Sequence, residues 1–94
     1  MRKISDSQRY SILHDMTCCY ICKNPRIEKH EIFGGSFRQS SKNYGLVVAL
    51  CHVHHAEAHE HGSLDEYLKQ EGQKVFEKEY NHGMFMNIFK INYL

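Results

Sequence analysis

Gly45-Leu46-Val47-Val48-Ala49-Leu50-Cys51-His52-Val53-His54-His55 is the stretch on which the fold turns. Its first half, residues 46–50, is a β-branched apolar run bounded by Gly45 and Cys51, which predicts a buried strand. Its second half changes pattern. Cys51 and His54 form a Cys-x-x-His pair, and the good helix formers from His52 to His61 predict a helix that stops at Gly62, a C′ glycine. A strand that passes through a cysteine into a histidine-rich helix points to a metal-braced junction.

Outward from there, Cys19-Tyr20-Ile21-Cys22 supplies a second pair, with 28 residues between the two. Zinc takes four N/S ligands in a tetrahedron, and a two-residue gap lets the backbone turn and present both side chains to one ion. The spacing therefore predicts one closed structural zinc at Cys19, Cys22, Cys51 and His54. The plainer alternative is a set of buried thiols beside an unrelated histidine, but paired spacings in so short a chain favour the metal. Cys18 is a possible substitute for Cys19 through a three-residue gap, and is read as a small core or surface residue. No βαβ pattern surrounds the cysteine pair, which argues against a redox dithiol.

His55 and His59 stand four apart and share one helix face. His54 points about 100° away from His55. Neighbouring histidines thus serve different purposes, His54 the zinc and His55 something else. His30, with Glu31 beside it, is the natural third donor for a divalent cation at His55 and His59. His61 is read as a solvated helix residue.

Glu28 to Phe33 reads as a short strand that stops at Gly34-Gly35. Residues 36–45 read as a polar loop, and residues 1–17 as an irregular arm with a helical turn around Ser7–Leu13. Asn24-Pro25 marks a turn. Downstream, Ser63 is the expected N-cap of a helix, with Glu66 completing a capping box. Leu64, Tyr67, Leu68, Val75, Phe76 and Tyr80 form its apolar stripe. Gly72 lies on that stripe and predicts close approach to the rest of the domain. Asn81-His82-Gly83 is the expected stop. Met84, Phe85, Ile88, Phe89 and Ile91 then make a short helix and tail over the core. The class is α+β.

The whole chain supplies 94 residues, one small domain, and a chain of that size often needs a staple. Four cysteines and eight histidines are present, five of the histidines between 52 and 61. No stretch nears the roughly 18 apolar residues of a membrane span. The residues from Met1 to Asp6 lack the apolar core of a secretory signal, so a reducing, cytoplasmic setting is expected, and a metal rather than disulfides. Net charge is +1, but residues 1–50 carry eight Lys/Arg against four Asp/Glu, and residues 51–94 carry four against seven. That asymmetry, +4 against −3, allows a nucleic-acid face on the first half. Solvated charge on a small protein explains it equally well.

The run Lys29-His30-Glu31-Ile32-Phe33-Gly34-Gly35, then Tyr44 through Cys51, then His54-His55, resembles the HNH endonucleases of the ββα-metal (His-Me finger) superfamily. It is most similar to small phage and prophage HNH-like proteins, including recombination-enhancement, RecA-dependent nucleases. The tail from Gln73 to Leu94 also looks like theirs. The resemblance covers most of residues 17–94. It implies a ββα-metal core with a zinc knuckle over residues 18–62, preceded by the arm (1–17) and followed by additional C-terminal helices (63–94).

It also implies metal-dependent hydrolysis of DNA phosphodiesters in a bacterial host cell. A recombinase or other phage protein is an implied partner. Carried over, His30, His55 and His59 would hold the catalytic cation (Mg²⁺, Mn²⁺, Ni²⁺ or Zn²⁺). Arg38, Lys42 and Lys29 would contact phosphates. Two positions depart from the pattern. Glu31 stands where the general-base histidine usually does, so either Glu31 is the base, or His30 is the base and Glu31 a ligand. Leu46 stands where the family's asparagine is usual, and Asn43 is out of register. A catalytically degenerate zinc module that binds DNA or a protein partner is the alternative expectation.

Overall fold

The computed structural model describes residues 3–94. Met1 and Arg2, the start of the expected arm and one of its charges, lie outside the described residues. The chain forms a small α+β fold. Strand β1 (Glu28–Glu31) is followed by a 3-10 turn (Gly35–Phe37) and helix α1 (Arg38–Asn43). Strand β2 (Val47–Leu50) leads directly into α2 (His52–Ala58), then α3 (Ser63–Glu79) and α4 (His82–Phe89). The strands pair antiparallel, with Glu28 opposite Leu50 and His30 opposite Val48.

All four residues of β2 are buried, as its unbroken apolar run requires. One edge pairs with β1. The other is occupied by the segment from Ile12 to Tyr20, which runs into the first cysteine pair. The Ile12 N–H donates to Gly45 O at 2.9 Å, the Ala49 N–H to His14 Nε2 at 3.1 Å, and the Tyr20 N–H to Ala49 O at 2.8 Å. At Gly45 the backbone is left-handed (φ +70°), and a Cβ there would lie 2.6 Å from the Tyr10 ring.

The core joins β1's continuation to the C-terminal helices. Phe33 packs on Phe89 and Phe85, with ring centroids 4.6 and 5.5 Å apart, and Phe76 on Phe85 at 5.6 Å. Gly72 faces Ile32 and Phe33, where a Cβ would come within 3.2 Å of Ile32 Cδ1, so the predicted close approach is present. Leu64, Leu68 and Phe76 of the predicted stripe are buried, while Tyr67 and Tyr80 are largely exposed at its margins.

Several local expectations are corrected. Part of the expected 36–45 loop is helical. Fully buried Ser41 accepts a hydrogen bond from the Phe33 N–H (2.9 Å) and donates to Phe33 O (2.8 Å), pinning α1 to the end of β1. Around Gly62, the left-handed residue is His61 (φ 57°), and Gly62 (φ −98°) is instead the N-cap of α3. Ser63 therefore lies inside the helix and the expected capping box is absent. Asn81 does not merely end α3. It caps α4, accepting from the Met84 N–H at 2.7 Å, and His82 and Gly83 belong to α4. The expected turn at Ser7–Leu13 is a single 3-10 turn at Asp6–Gln8.

Candidate metal centres

The first cysteine pair sits on a tight reversal. The Lys23 N–H donates to Cys19 O at 2.9 Å and the Cys19 N–H to Asn24 O at 2.8 Å. Lys23 is left-handed (φ 69°), which turns the chain back after Cys22. The second pair is set by the β2–α2 junction, where Cys51 caps α2 and the His55 N–H bonds Cys51 O. Together the loops bring the ligand atoms of Cys19, Cys22, Cys51 and His54 within 4.8 Å of one another.

The finer spacings suit zinc. Cys22 Sγ and Cys51 Sγ are 3.7 Å apart, and His54 Nδ1 lies 3.3 Å from Cys51 Sγ and 3.7 Å from Cys19 Sγ. A tetrahedron with ordinary Zn–S and Zn–N lengths has S···S and S···N edges of about 3.5–3.8 Å. A disulfide would require about 2.05 Å, and all four cysteines are free. Burial pushes the Cys19 thiol up. Backbone N–H groups of Cys22, Cys51 and Ile21, with His54, outweigh it and bring the thiol down to about 6. A thiol so lowered is poised as the thiolate that zinc binds. This Cys3His cluster can hold a metal such as zinc, as the spacing predicts, and Cys18 lies outside it.

One residue further along α2 a second group forms. His30 from β1 meets His55 of α2 and His59, the residue at that helix's C-cap, with ligand atoms again within 4.8 Å of one another. Its ring centroid is 5.2 Å from each of theirs. His55 Nε2 and His59 Nε2 are 3.1 Å apart. That spacing is between the cis edges of octahedral and tetrahedral sites with metal–nitrogen bonds of about 2.0–2.1 Å. His30 is buried, and its Nε2 has no hydrogen-bond partner. An orphaned buried polar atom is costly and calls for a partner. Burial, then the neighbouring His55 and His59, hold the His30 pKa down to about 4, so its ring is neutral at pH 7.

The remaining predicted residues gather elsewhere. Successive strand residues face opposite ways. Glu31 accordingly turns away from His30 and lies between Arg9 (3.1 Å) and Arg38 (3.3 Å). Arg38 also reaches Asp6 at 3.5 Å, and Lys42 Nζ donates to Asp6 at 2.9 Å. Lys29 shares the Glu31 side of β1. Of the basic residues expected to meet phosphate, Arg38 and Lys42 thus belong to one ion-paired patch with Asp6 and Glu31, and Lys29 lies on the same strand face, opposite the histidines. His61 is exposed and lies 3.5 Å from Asp65.

Sequence reasoning missed Glu28. Its Oε1 is 2.6 Å from His55 Nδ1 and its Oε2 3.4 Å from His52 Nδ1. Those hydrogen bonds, His55 first, hold its carboxyl below the usual range. The period of two along β1, which puts residues 28 and 30 on one face, was the available signal.

Compared with known protein families, with characterised proteins and with solved structures, the chain matches none. Among the described residues no helix is long and apolar enough to cross a membrane.

Proposed function

We propose that this chain is a metal-dependent DNA endonuclease or nickase of the HNH, ββα-metal type, with a structural zinc beside a catalytic divalent cation. The observation that carries the reading is the second donor set. One Cys3His cluster is enough to staple a small fold, yet three further imidazoles converge beside it, one of them buried with an unpartnered nitrogen. The order β1, β2, α2 around that set supports the resemblance carried by the His30–Gly35 and Tyr44–His55 motifs.

In this reading His55 and His59, on one helix face and open to solvent on one side, hold the cation. A cation bound there supplies Lewis acidity at a phosphodiester oxygen. His30 is third ligand or base for the attacking water. Glu31 is tied between two guanidinium groups away from the histidines, which favours His30 over Glu31 for the proton. Arg38 and Lys42 offer phosphate contacts once Asp6 and Glu31 share them with DNA, and Lys29 offers another from the same strand face. A recombinase or other phage protein as helper, and action in the cytoplasm of a bacterial host, follow from the resemblance alone.

The same isolation of Glu31 favours a second reading, a degenerate zinc module that binds DNA without cutting it. A plasmid-nicking assay with Mg²⁺, Mn²⁺ or Ni²⁺ against an EDTA control separates the two. Nicking by wild type and by Glu31→Ala, abolished in His55→Ala with zinc content intact, is the expected result. Undiminished nicking by His55→Ala refutes the site. No nicking by zinc-loaded wild type leaves the binding module.

A further inference from the structure

Glu28 and His30 point from the same face of β1, and α2 crosses that face. The register puts Glu28 opposite Leu50, one residue before Cys51, so the carboxylate lies under the first turn of α2. There its Oε1 approaches His55 Nδ1 at 2.6 Å, while Oε2 is steadied by His52 Nδ1 at 3.4 Å. An ionised carboxylate only accepts hydrogen bonds, so at this distance His55 Nδ1 carries the proton. In the neutral ring Nε2 then holds the lone pair, and that atom is the one 3.1 Å from His59 Nε2. Glu28 itself is on the wrong side of the ring to ligate an ion gathered at the Nε2 atoms.

We propose that Glu28 is the positioning residue of the three-histidine site: it fixes His55 in the Nδ1–H tautomer and aims Nε2 at a divalent transition-metal ion shared with His30 and His59. The inference rests on the reading that this trio takes a cation. An imidazole set suits zinc, nickel or iron better than magnesium. A carboxylate behind a ligating histidine sets the ring's orientation and raises its basicity, and its loss typically weakens metal binding about 10- to 100-fold.

The test uses full-length protein already loaded with one zinc, titrated calorimetrically with Ni²⁺. The His55 tautomer is read in parallel by long-range ¹H–¹⁵N NMR before nickel is added. Wild type should take one Ni²⁺ per chain and show His55 protonated at Nδ1. Glu28→Ala should bind Ni²⁺ about 10- to 100-fold more weakly. Its His55 should shift toward the Nε2–H form, with zinc content and melting behaviour retained. Glu28→Gln, which keeps an acceptor in place, should recover much of the affinity. Unchanged nickel affinity and tautomer in Glu28→Ala overturn the positioning role while leaving the cation reading intact. A wild type that binds no ion beyond its zinc overturns the cation reading, and the positioning role falls with it.

Discussion

Replacing Ser41 with alanine isolates the bond pair that ties α1 to the end of β1. Ser41 is fully buried, and its hydroxyl serves both backbone groups of Phe33, at 2.9 and 2.8 Å. Alanine leaves that N–H and that carbonyl without this partner in a site closed to water. An unsatisfied buried group costs about 1–3 kcal/mol, so the two together cost about 2–6 kcal/mol. Alanine's better helix propensity returns only about 0.5 kcal/mol. A domain of this length is stable by roughly 5–14 kcal/mol, so the variant should fold but lose a large share of its margin. Urea unfolding followed by far-UV circular dichroism reads the effect. With a slope of about 1–1.5 kcal/mol/M, the midpoint should fall by at least 1 M. Ser40→Ala, one residue away and only half-buried, is the control and should stay within about 0.5 kcal/mol of wild type. A Ser41→Ala midpoint that matches the Ser40→Ala midpoint refutes the reasoning, because it means the Phe33 backbone is satisfied without the hydroxyl.

Stripping zinc with a strong chelator should abolish cooperative unfolding and most helical dichroism, because structural zinc contributes about 10–16 kcal/mol, as much as or more than such a domain's whole stability. A metal-free chain with an unchanged melt contradicts this. Gly45→Ala should lower stability by at least 1–2 kcal/mol from left-handed strain alone, with the Tyr10 contact adding to it, whereas Gly34→Ala meets nothing and should be close to neutral in a thermal melt. His14 provides a pH test. Burial, the largest cause, holds its pKa below 6.5, and its Nε2 accepts from the Ala49 N–H. The unfolded chain therefore binds the proton first, so this contribution is complete above pH 6.5 and is lost as pH falls from there through the lower folded value. The urea midpoint should drop across that window, and less steeply in His14→Gln. Parallel slopes for the two proteins would remove His14 from the account.

What was legible in the sequence was local. Cys-x-x-Cys, Cys-x-x-His and the four-residue step from His55 to His59 are spacings that one turn of chain converts into shared direction. The apolar run of β2 and the stripe of α3 need only a period. The unread parts depend on pairing between distant segments. Asp6 meets Lys42 across 36 residues, and Glu28 meets His55 across 27. Helix α1, rich in serine and asparagine, has little intrinsic preference for its own form, and the Ser41–Phe33 bonds tie it to the end of β1. The turn at His61 is not legible because glycine is the usual left-handed residue, and here the histidine before it takes that conformation.

The segment from Ile12 to Tyr20 also has a protective consequence. A short β-branched strand with an open side is a template on which other chains can stack, the first step toward insoluble assemblies. Here that side is closed at Ala49 by the Tyr20 N–H and the imidazole of His14, and at Gly45, just before the strand, by the Ile12 N–H. Trimming the chain back to the first cysteine pair would keep every metal-binding side chain. It would also remove Ile12 and His14 and leave only the Tyr20 bond on that side of the strand, so solubility rather than metal content should set how short a working fragment can be.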